Sequence, residues 1–145
     1  MKNSTRRAAS IAALSGITLA FGLVNAGSAA ASTPSGCSSV RQLGPTAYVK
    51  YKGKTAASVK QYYGCGKMYG YLVVWESFRK STKWSYASIS VTTPDGHAHG
   101  MTLKNRPAYE MWSGGYATTN CTTAFGRVQV GSGSDTAYVQ TSMVC

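Results

Sequence analysis

The sequence has 145 residues, of which 15 are Lys or Arg and only 4 are Asp or Glu, so its formal net charge is +11 at pH 7. A positive field of this size favours anionic partners, which include wall polymers, nucleic acid, anionic lipid and acidic proteins. It argues against a calcium site, because calcium needs several clustered oxygen ligands. The alternative interpretation is that the charge serves solubility alone.

Residues 1–31 show the three-part pattern of a secretory signal peptide. A short basic head is followed by an apolar run from residue 8 to residue 26 and then by small residues. A signal peptidase accepts only small side chains, so we place the cut after Ala31, with Ala26 and Ala29 as alternatives. A permanent membrane anchor fits less well, because polar residues interrupt the run and it is short for a spanning helix. The sequence therefore predicts a secreted, extracellular protein.

The mature part is expected to be one domain without a transmembrane anchor, since no second apolar segment follows the signal peptide. Residues 32–45 begin with a stretch rich in Ser, Thr, Pro and Gly and are predicted to be a flexible lead. The disulfide-stapled β domain is predicted to span residues 46–145. Without the signal peptide, 12 basic and 4 acidic side chains remain, which is a net charge near +8.

Four cysteines lie in the mature part, at Cys37, Cys65, Cys121 and Cys145. An even number in an exported chain predicts two disulfides. Metal binding is the rival interpretation, but it needs closely spaced cysteines and the spacings here are far longer. Four cysteines allow three pairings. We favour the sequential one, Cys37 with Cys65 and Cys121 with Cys145, because it ties each end of the chain to a nearby strand.

Alternating polar and apolar residues predict the first two strands, over residues 46–52 and 57–63. In the first strand, the inward face is expected to hold Ala47, Val49 and Tyr51. Its outward face is expected to hold Tyr48, Lys50 and Lys52. In the second strand, Val59 is expected to point inward and Lys60 outward.

The longest apolar run, residues 68–78, predicts a central strand that is buried on both sides or carries an aromatic surface. One face is expected to hold Leu72, Val74 and Phe78. The other face is expected to hold Tyr69, Tyr71, Val73 and Trp75. A single helical turn over residues 79–83 is the one helical feature that the mature sequence allows.

The second half of the chain continues with strands and glycine-rich turns. Residues 84–93 predict a strand with Ala87, Ile89 and Val91 inward and with Ser88 and Ser90 outward. A tight turn at residues 94–96 follows, because Pro and Gly supply its backbone angles. Further strands are predicted over residues 101–104, 108–112, 125–130 and 136–144. We therefore expect an all-β domain with two disulfides, a small sandwich or barrel of about seven or eight short antiparallel strands.

Several motifs cover the predicted second and third strands: Ser58-Val59-Lys60-Gln61-Tyr62-Tyr63, Cys65, Tyr69-Gly70-Tyr71, Val74-Trp75 and Phe78. Together with the late cysteines Cys121 and Cys145, they resemble the small exported, disulfide-containing β proteins of filamentous actinobacteria. The resemblance covers most of the mature chain. Its motifs are structural, so it implies a fold and carries over no catalytic residue.

The histidines His97 and His99 are the first candidates for chemistry. Two residues apart in an extended chain, their imidazoles would point the same way and would suit a copper or zinc ion or an acid–base pair. A metal site wants three or four ligands, and no other ligand is near in sequence. We therefore favour a polar turn with two solvated imidazoles, and we expect no metal and no cofactor.

Glu76, one histidine and an arginine would form the site of a small ribonuclease, in which the carboxylate and imidazole exchange protons and the guanidinium holds phosphate. The candidate arginines are Arg79, Arg106 and Arg127. Glu76 stands alone on an apolar run, however, and an ion pair with Arg79 or Lys80 explains it more simply. A glycosidase pair of Glu76 and Glu110 has as little support, and no serine nucleophile motif is present.

A shared exposed face is predicted for Tyr48, Lys50, Lys52, Lys60 and Tyr62. Exposed aromatic rings stack on sugars or bases, and lysines hold phosphate or carboxylate groups. The alternative is that the aromatic residues fill a thin core while the lysines discourage edge-to-edge pairing of sheets. These five residues are our candidate ligand-binding site.

Three classes of function fit the sequence. We favour a monomeric, non-catalytic extracellular module that binds an anionic cell-wall polymer or another extracellular carbohydrate polymer. The first alternative is an exported enzyme inhibitor or interaction protein that inserts the loop of residues 95–100 into a target. The second is a toxin-like ribonuclease, although nucleic acid is not the favoured partner.

Overall fold

The computed structural model describes residues 32–145, so the predicted signal peptide lies outside the described residues. The described chain forms two four-stranded antiparallel sheets that stack as a sandwich and do not close into a barrel. This confirms the predicted all-β class and the predicted number of strands. Within residues 32–145, the structure has no helix that is long and apolar enough to cross a membrane.

The elements follow one another along the chain as β1 (Arg41–Tyr51), β2 (Lys54–Gly64), β3 (Lys67–Val74), α1 (Glu76–Ser81), β4 (Trp84–Thr92), β5 (Ala98–Asn105), β6 (Glu110–Trp112), β7 (Thr123–Val130) and β8 (Thr136–Gln140). The first sheet has the strand order β1-β2-β3-β6, and the second sheet has the order β5-β4-β7-β8. Most neighbouring strands are consecutive in the chain, because short turns connect antiparallel strands.

Several strand boundaries differ from the sequence prediction: β5 begins at Ala98 and so takes up part of the predicted loop of residues 95–100, β8 ends at Gln140, four residues early, and β1 and β3 also differ. β1 begins at Arg41, five residues before the predicted first strand, and Leu43 is buried in it. The predicted central strand over residues 68–78 is wrong at its end, because β3 stops at Val74 and α1 follows. The regular pairing of β2 with β3 ends at Ala57 and Val74, and after one further hydrogen bond from the Trp75 amide to the carbonyl of Ala56 the chain turns away, although β2 itself continues to Lys54. The helix instead turns Phe78 into the core, where it is 1% exposed.

The core lies between the inner faces of the two sheets, as the alternating patterns predict. Ala87, Ile89 and Val91 of β4 are fully buried and face the first sheet. Gly126 of β7 allows the sheets to approach closely, since a Cβ atom there would lie 2.4 Å from Cγ2 of Val59. Contacts this close leave no room for any side chain at that position.

Gln61 is a fully buried polar side chain that connects the two halves of the sandwich. Its Nε2 atom donates to Oγ1 of Thr122 at 2.7 Å, and its Oε1 atom accepts from Oγ1 of Thr141 at 3.1 Å. Both hydrogen-bonding ends of the amide are therefore satisfied without water. This network holds β2 against the segments that flank β7 and β8.

The two disulfides join Cys37 to Cys65 and Cys121 to Cys145, which confirms the favoured pairing. Both lie at one end of the sandwich, with the β2–β3 turn and the chain terminus. We call this the disulfide end. The opposite end holds the β1–β2 turn, α1 and the β7–β8 turn, and we call it the hairpin end.

Candidate functional site

The outer face of the first sheet carries four of the five predicted site residues, namely Tyr48, Lys50, Lys60 and Tyr62. Directly opposite residues of antiparallel strands share a face. Tyr48 pairs with Ser58 of β2, and Lys60 pairs with Tyr71 of β3, which in turn pairs with Trp112 of β6. Tyr62 lies two residues beyond Lys60 and shares this face. The alternation that the sequence showed in β1 and β2 is therefore correct.

Tyr62 is on this face but is not exposed. Its ring is 9% exposed, and its centroid lies 6.2 Å from that of Tyr71 and 5.0 Å from that of Trp112. Tyr69 packs against the same tryptophan, so four rings form an aromatic cover over the sheet. Burial raises the pKa of Tyr62. Tyr62 therefore stabilises the outer face and is not free to stack on a ligand, contrary to the prediction.

Tyr71 has the most strongly perturbed side chain of the aromatic cover. Its hydroxyl group donates to Oε1 of Glu110 at 2.6 Å. Burial, followed by this hydrogen bond and the charge of Glu110, raises the pKa of Tyr71 far above its ordinary value of 10.0. The folded state therefore holds the phenol proton more tightly than the unfolded chain does.

This shift predicts a loss of stability in alkali. Because the folded-state pKa is raised, the stabilisation is fully present below pH 10.0 and is lost as the pH rises above that value. The melting temperature should fall from neutral pH to about pH 11, and it should fall less in Tyr71→Phe, which has no phenol proton to lose. Thermal unfolding followed by circular dichroism measures this, with Tyr138→Phe as the control because that ring is 67% exposed. Equal slopes in all three proteins would contradict the expectation.

An exposed aromatic pair lies where β3 ends. Tyr48 is 46% exposed and Trp75 is 41% exposed, and their ring centroids are 6.0 Å apart in an edge-to-face arrangement. Nζ of Lys50 lies 5.7 Å from the Tyr48 ring and donates to Oγ1 of Thr55 at 2.5 Å. The lysine is thereby held beside the aromatic pair. We call Tyr48, Lys50, Thr55 and Trp75 the aromatic–lysine site.

A cleft of about 370 Å³ opens beside this site. Its lining residues are Lys54, Thr55, Trp75, Ser77, Phe78 and Ser81. The short helix α1 forms one wall and the start of β2 forms the other. A cleft with one indole, one lysine and several hydroxyl groups has the composition that suits a sugar ring, which offers an apolar face and hydroxyl groups at its rim.

Lys52 is not on the outer face with the other candidates. The chain turns at Lys52 and Gly53, which both have left-handed backbone angles with φ of 47° and 76°. Its Nζ atom lies 5.2 Å from the ring of Tyr51, and its side chain lines a neighbouring cleft. The predicted alternation fails at this residue because the strand ends at Tyr51.

The hairpin end is strongly basic. Eight of the 12 Lys and Arg residues of the described chain lie there, at Lys50, Lys52, Lys54, Arg79, Lys80, Lys83, Lys104 and Arg106. Among residues 32–145, one of these forms an ion pair within 4.0 Å, namely Lys80 with Glu76 at 2.6 Å. The lysine's hydrogen bond lowers the pKa of Glu76. In the described part of the chain, the other seven basic residues form no ion pair within this distance.

The histidines lie at the disulfide end and are engaged by neighbouring residues. Nδ1 of His97 lies 3.2 Å from Oδ2 of Asp95, and the His99 ring stacks on Tyr116 with centroids 3.8 Å apart. Hydrogen bonds from the Thr93 hydroxyl and the His97 backbone lower the pKa of Asp95. In the described part of the chain, no three His, Cys, Asp or Glu residues are grouped so that they could hold a metal ion.

The ribonuclease constellation is not assembled. Glu76 lies at the hairpin end and the histidines lie at the disulfide end, so the nine residues of β4 separate them. At the usual rise of a β-strand, that is a distance of about 30 Å. Proton transfer between such groups and one substrate needs contact distances. Glu76 forms an ion pair with Lys80, which is one of the two ion pairs that the sequence analysis offered as the simpler explanation of this residue.

Trp75 is the site residue that the sequence analysis left out of the candidate set. The alternation placed it on the outward face with Tyr71 and Val73, but the pattern indicated that the strand continued and was buried. An outward tryptophan at the end of a strand covered by aromatic residues is the pattern that could have identified Trp75 as a site residue.

No family of proteins, no curated protein and no solved structure matches this chain.

Proposed function

We propose that this domain is a non-catalytic extracellular module that binds an anionic or carbohydrate polymer through the aromatic–lysine site. The observation that carries the proposal is the exposed Tyr48–Trp75 pair with Lys50 held beside it. Large aromatic side chains that stay exposed next to a cleft are typical of ligand-binding surfaces. A pyranose ring stacks on such a platform, and a lysine binds its anionic substituents.

The charge distribution supports an anionic ligand. Residues 32–75 hold six basic side chains and no acidic one, and they include β1, β2 and β3. These three strands of the first sheet therefore carry no acidic side chain, and the carboxylate of the fourth strand, Glu110 of β6, accepts the hydrogen bond of Tyr71. A field of one sign concentrates oppositely charged polymers near the surface and speeds their association.

Each carboxylate of the described chain is paired with a neighbouring side chain. All four acidic residues have a hydrogen-bonding or ionic partner: Glu76 with Lys80, Asp95 with Thr93, Glu110 with Tyr71 and Asp135 with Tyr51. Each carboxylate is thus engaged by another side chain. The two disulfides and the signal-like pattern of the first 31 residues support an extracellular location.

Sedimentation with insoluble cell walls and glycans tests the proposal. Trp75→Ala and Tyr48→Ala are each expected to weaken binding about tenfold, because stacking on an aromatic ring is worth roughly 1–3 kcal/mol. The matched control is Tyr138→Ala, which removes the most exposed tyrosine of the second sheet and is expected to leave binding unchanged.

Charge-reversing variants complete this test. Lys50→Glu and Lys54→Glu are expected to weaken binding at low salt, whereas Lys67→Glu, at the disulfide end, is expected to have a much smaller effect. High salt should reduce binding of the wild-type protein, since it screens exposed charges. Absence of binding at low salt, or equal losses in the Tyr138→Ala control, would refute the proposed site.

A further inference from the structure

We infer that the bound polymer is a glycan that carries phosphate or sulfate esters, and that one such oxyanion lies between Lys52 and Lys83. This inference rests on the proposed function, since it extends the aromatic–lysine site into a second cleft. The geometry of the hairpin end and the kinds of donor in that cleft carry it.

The second cleft has a volume of about 600 Å³ and lies between three elements. The β1–β2 turn supplies Lys52, the end of α1 and the residues after it supply Ser81 and Lys83, and the β7–β8 turn supplies Ser134. Ser81 also lines the cleft beside Trp75. The two clefts therefore adjoin and form one tract that leads from the aromatic pair to the two lysines.

The backbone segments that carry the two lysines are fixed. The Tyr51 hydroxyl group donates to Oδ2 of Asp135 at 3.1 Å, which ties the end of β1 to the β7–β8 turn. The carbonyl of Lys83 accepts a hydrogen bond from the amide of Gly131 at 2.8 Å, which ties the start of β4 to the same turn. The walls of the cleft are thus in place before a ligand binds, which lowers the entropic cost of binding.

Asp135 is the one carboxylate that lines this cleft. It accepts the hydrogen bond of Tyr51 and, among the described residues, forms no ion pair with Lys52 or Lys83 within 4.0 Å. The cleft is therefore lined by two positive charges, Lys52 and Lys83, and one negative charge, Asp135, so its net charge is positive. The acid also weakens the attraction for an anion, so its removal is expected to strengthen binding.

The donors in the cleft favour a tetrahedral oxyanion over a carboxylate. Lysine is a compact charge with three donors, and the hydroxyl groups of Thr82 and Ser134 add donors from other directions, whereas the Ser81 hydroxyl donates to the carbonyl of Ser77. Planar carboxylates are bound best by the fork of an arginine. The arginine of α1, Arg79, does not line this cleft; its guanidinium lies 4.0 Å from the Tyr109 ring, and its Nε atom donates to the carbonyl of Val74.

A sugar polymer fits the tract better than single-stranded RNA. Proteins that bind single strands stack successive bases on successive aromatic rings. Here Tyr48 and Trp75 meet edge to face at 87°, so they offer one stacking position and not a series of parallel platforms. The tract offers one aromatic stacking position and then the positive charge of the two lysines. This order suits a glycan in which one sugar ring stacks and the next sugar along the polymer carries a phosphate or sulfate ester.

Calorimetric titration of the mature protein with soluble polymers tests the inference. The probes are glycosylated poly(glycerol phosphate), dextran sulfate, polygalacturonate, dextran and single-stranded RNA. We expect the phosphate or the sulfate polymer to bind at least tenfold more tightly than polygalacturonate and dextran. The double variant Lys52→Ala, Lys83→Ala should remove this preference, and Asp135→Asn should increase the affinity. Lys67→Ala, which removes a lysine at the disulfide end, is the matched control.

The outcomes separate this inference from the proposed function. If the wild-type protein binds none of the glycans, the proposed function fails and this inference fails with it. If glycans bind through Trp75 but the double variant keeps the same preference, or if polygalacturonate binds equally well, only this inference fails. Tighter binding of RNA than of every glycan would replace the glycan with nucleic acid. Preference for phosphate over sulfate, or the reverse, identifies the ester.

Discussion

Replacement of Phe78 by alanine is expected to lower the free energy of unfolding by about 3–5 kcal/mol. The Phe78 ring is 1% exposed and packs edge to face against Tyr51, with centroids 6.3 Å apart. It is the one buried residue of α1, a helix of six residues, so nothing else on the helix can fill the space that the ring leaves. Denaturation by urea, followed by tryptophan fluorescence and circular dichroism, measures the loss.

Phe125→Ala is the matched control for this prediction. The Phe125 ring is half-buried on the outer face of the second sheet, where it contacts Tyr138 with centroids 5.8 Å apart. Its loss exposes little core and is expected to cost about 1 kcal/mol. If both variants lost the same stability, Phe78 would not anchor α1 to the core. Because α1 follows Trp75 directly, Phe78→Ala is also expected to weaken polymer binding under conditions in which the variant is still folded.

The parts of the fold that the sequence could predict are those with a strict period of two. In β4, Ala87, Ile89 and Val91 face the core and alternate with Ser88 and Ser90, and this pattern has no helical interpretation, although the two serines on the outer face are also covered and are only 3% and 2% exposed. The disulfide pairing was also predictable, because each pair closes a short loop and ties a chain end to its nearest strand. Both signals are local in sequence, so they do not depend on the stacking of the sheets.

The sequence indicates a single helical turn over residues 79–83, but α1 spans Glu76–Ser81, and its start depends on partners elsewhere in the chain. Residues 68–75 hold no charged side chain, Glu76 and Ser77 follow, and Phe78 would be buried in a strand as well as in a helix. The last regular pair of β3 with β2 joins Val74 to Ala57, although β2 continues to Lys54. Trp75 then donates to the carbonyl of Ala56, and the chain turns. Tertiary pairing decides between the two structures here, as it often does for short apolar runs.

In the candidate site, too, some features follow from the local sequence and others depend on distant parts of the chain. Tyr48 and Lys50 follow from the alternation of β1, and the structure places both beside Trp75. Tyr62 lies on the face that the alternation predicts, but it is buried because Trp112 packs against it, and Trp112 belongs to β6, fifty residues later in the chain. No local pattern reveals that a distant strand will cover an outward ring. Exposure is thus harder to predict from sequence than the face on which a residue lies.

Gly100→Ala is the second substitution for which we expect a large effect, a loss of about 2–4 kcal/mol of folding stability. Gly100 has a φ of 58°, and a Cβ atom on it would lie 2.3 Å from the carbonyl oxygen of Gly114. That atom belongs to the backbone and cannot rotate away. The hydrogen bond from the amide of Gly114 to the carbonyl of Gly100, now 2.7 Å, would have to lengthen. The loop that brings Tyr116 onto His99 would move with it.

Two further glycines separate the causes of that loss. Gly96 has a φ of 83° but open space around its Cα, so Gly96→Ala reports the cost of the backbone angle alone, about 1 kcal/mol. Gly133 has open space and no left-handed angle, and its replacement should change stability by no more than about 0.5 kcal/mol. Urea denaturation gives all three values, and the NMR shift of the His99 ring protons reports its stack on Tyr116. A loss in Gly100→Ala no larger than that in Gly96→Ala, with the His99 shift unchanged, would mean that the two backbones can separate freely. Close approach of Gly100 and Gly114 would then not be what places Tyr116 over His99.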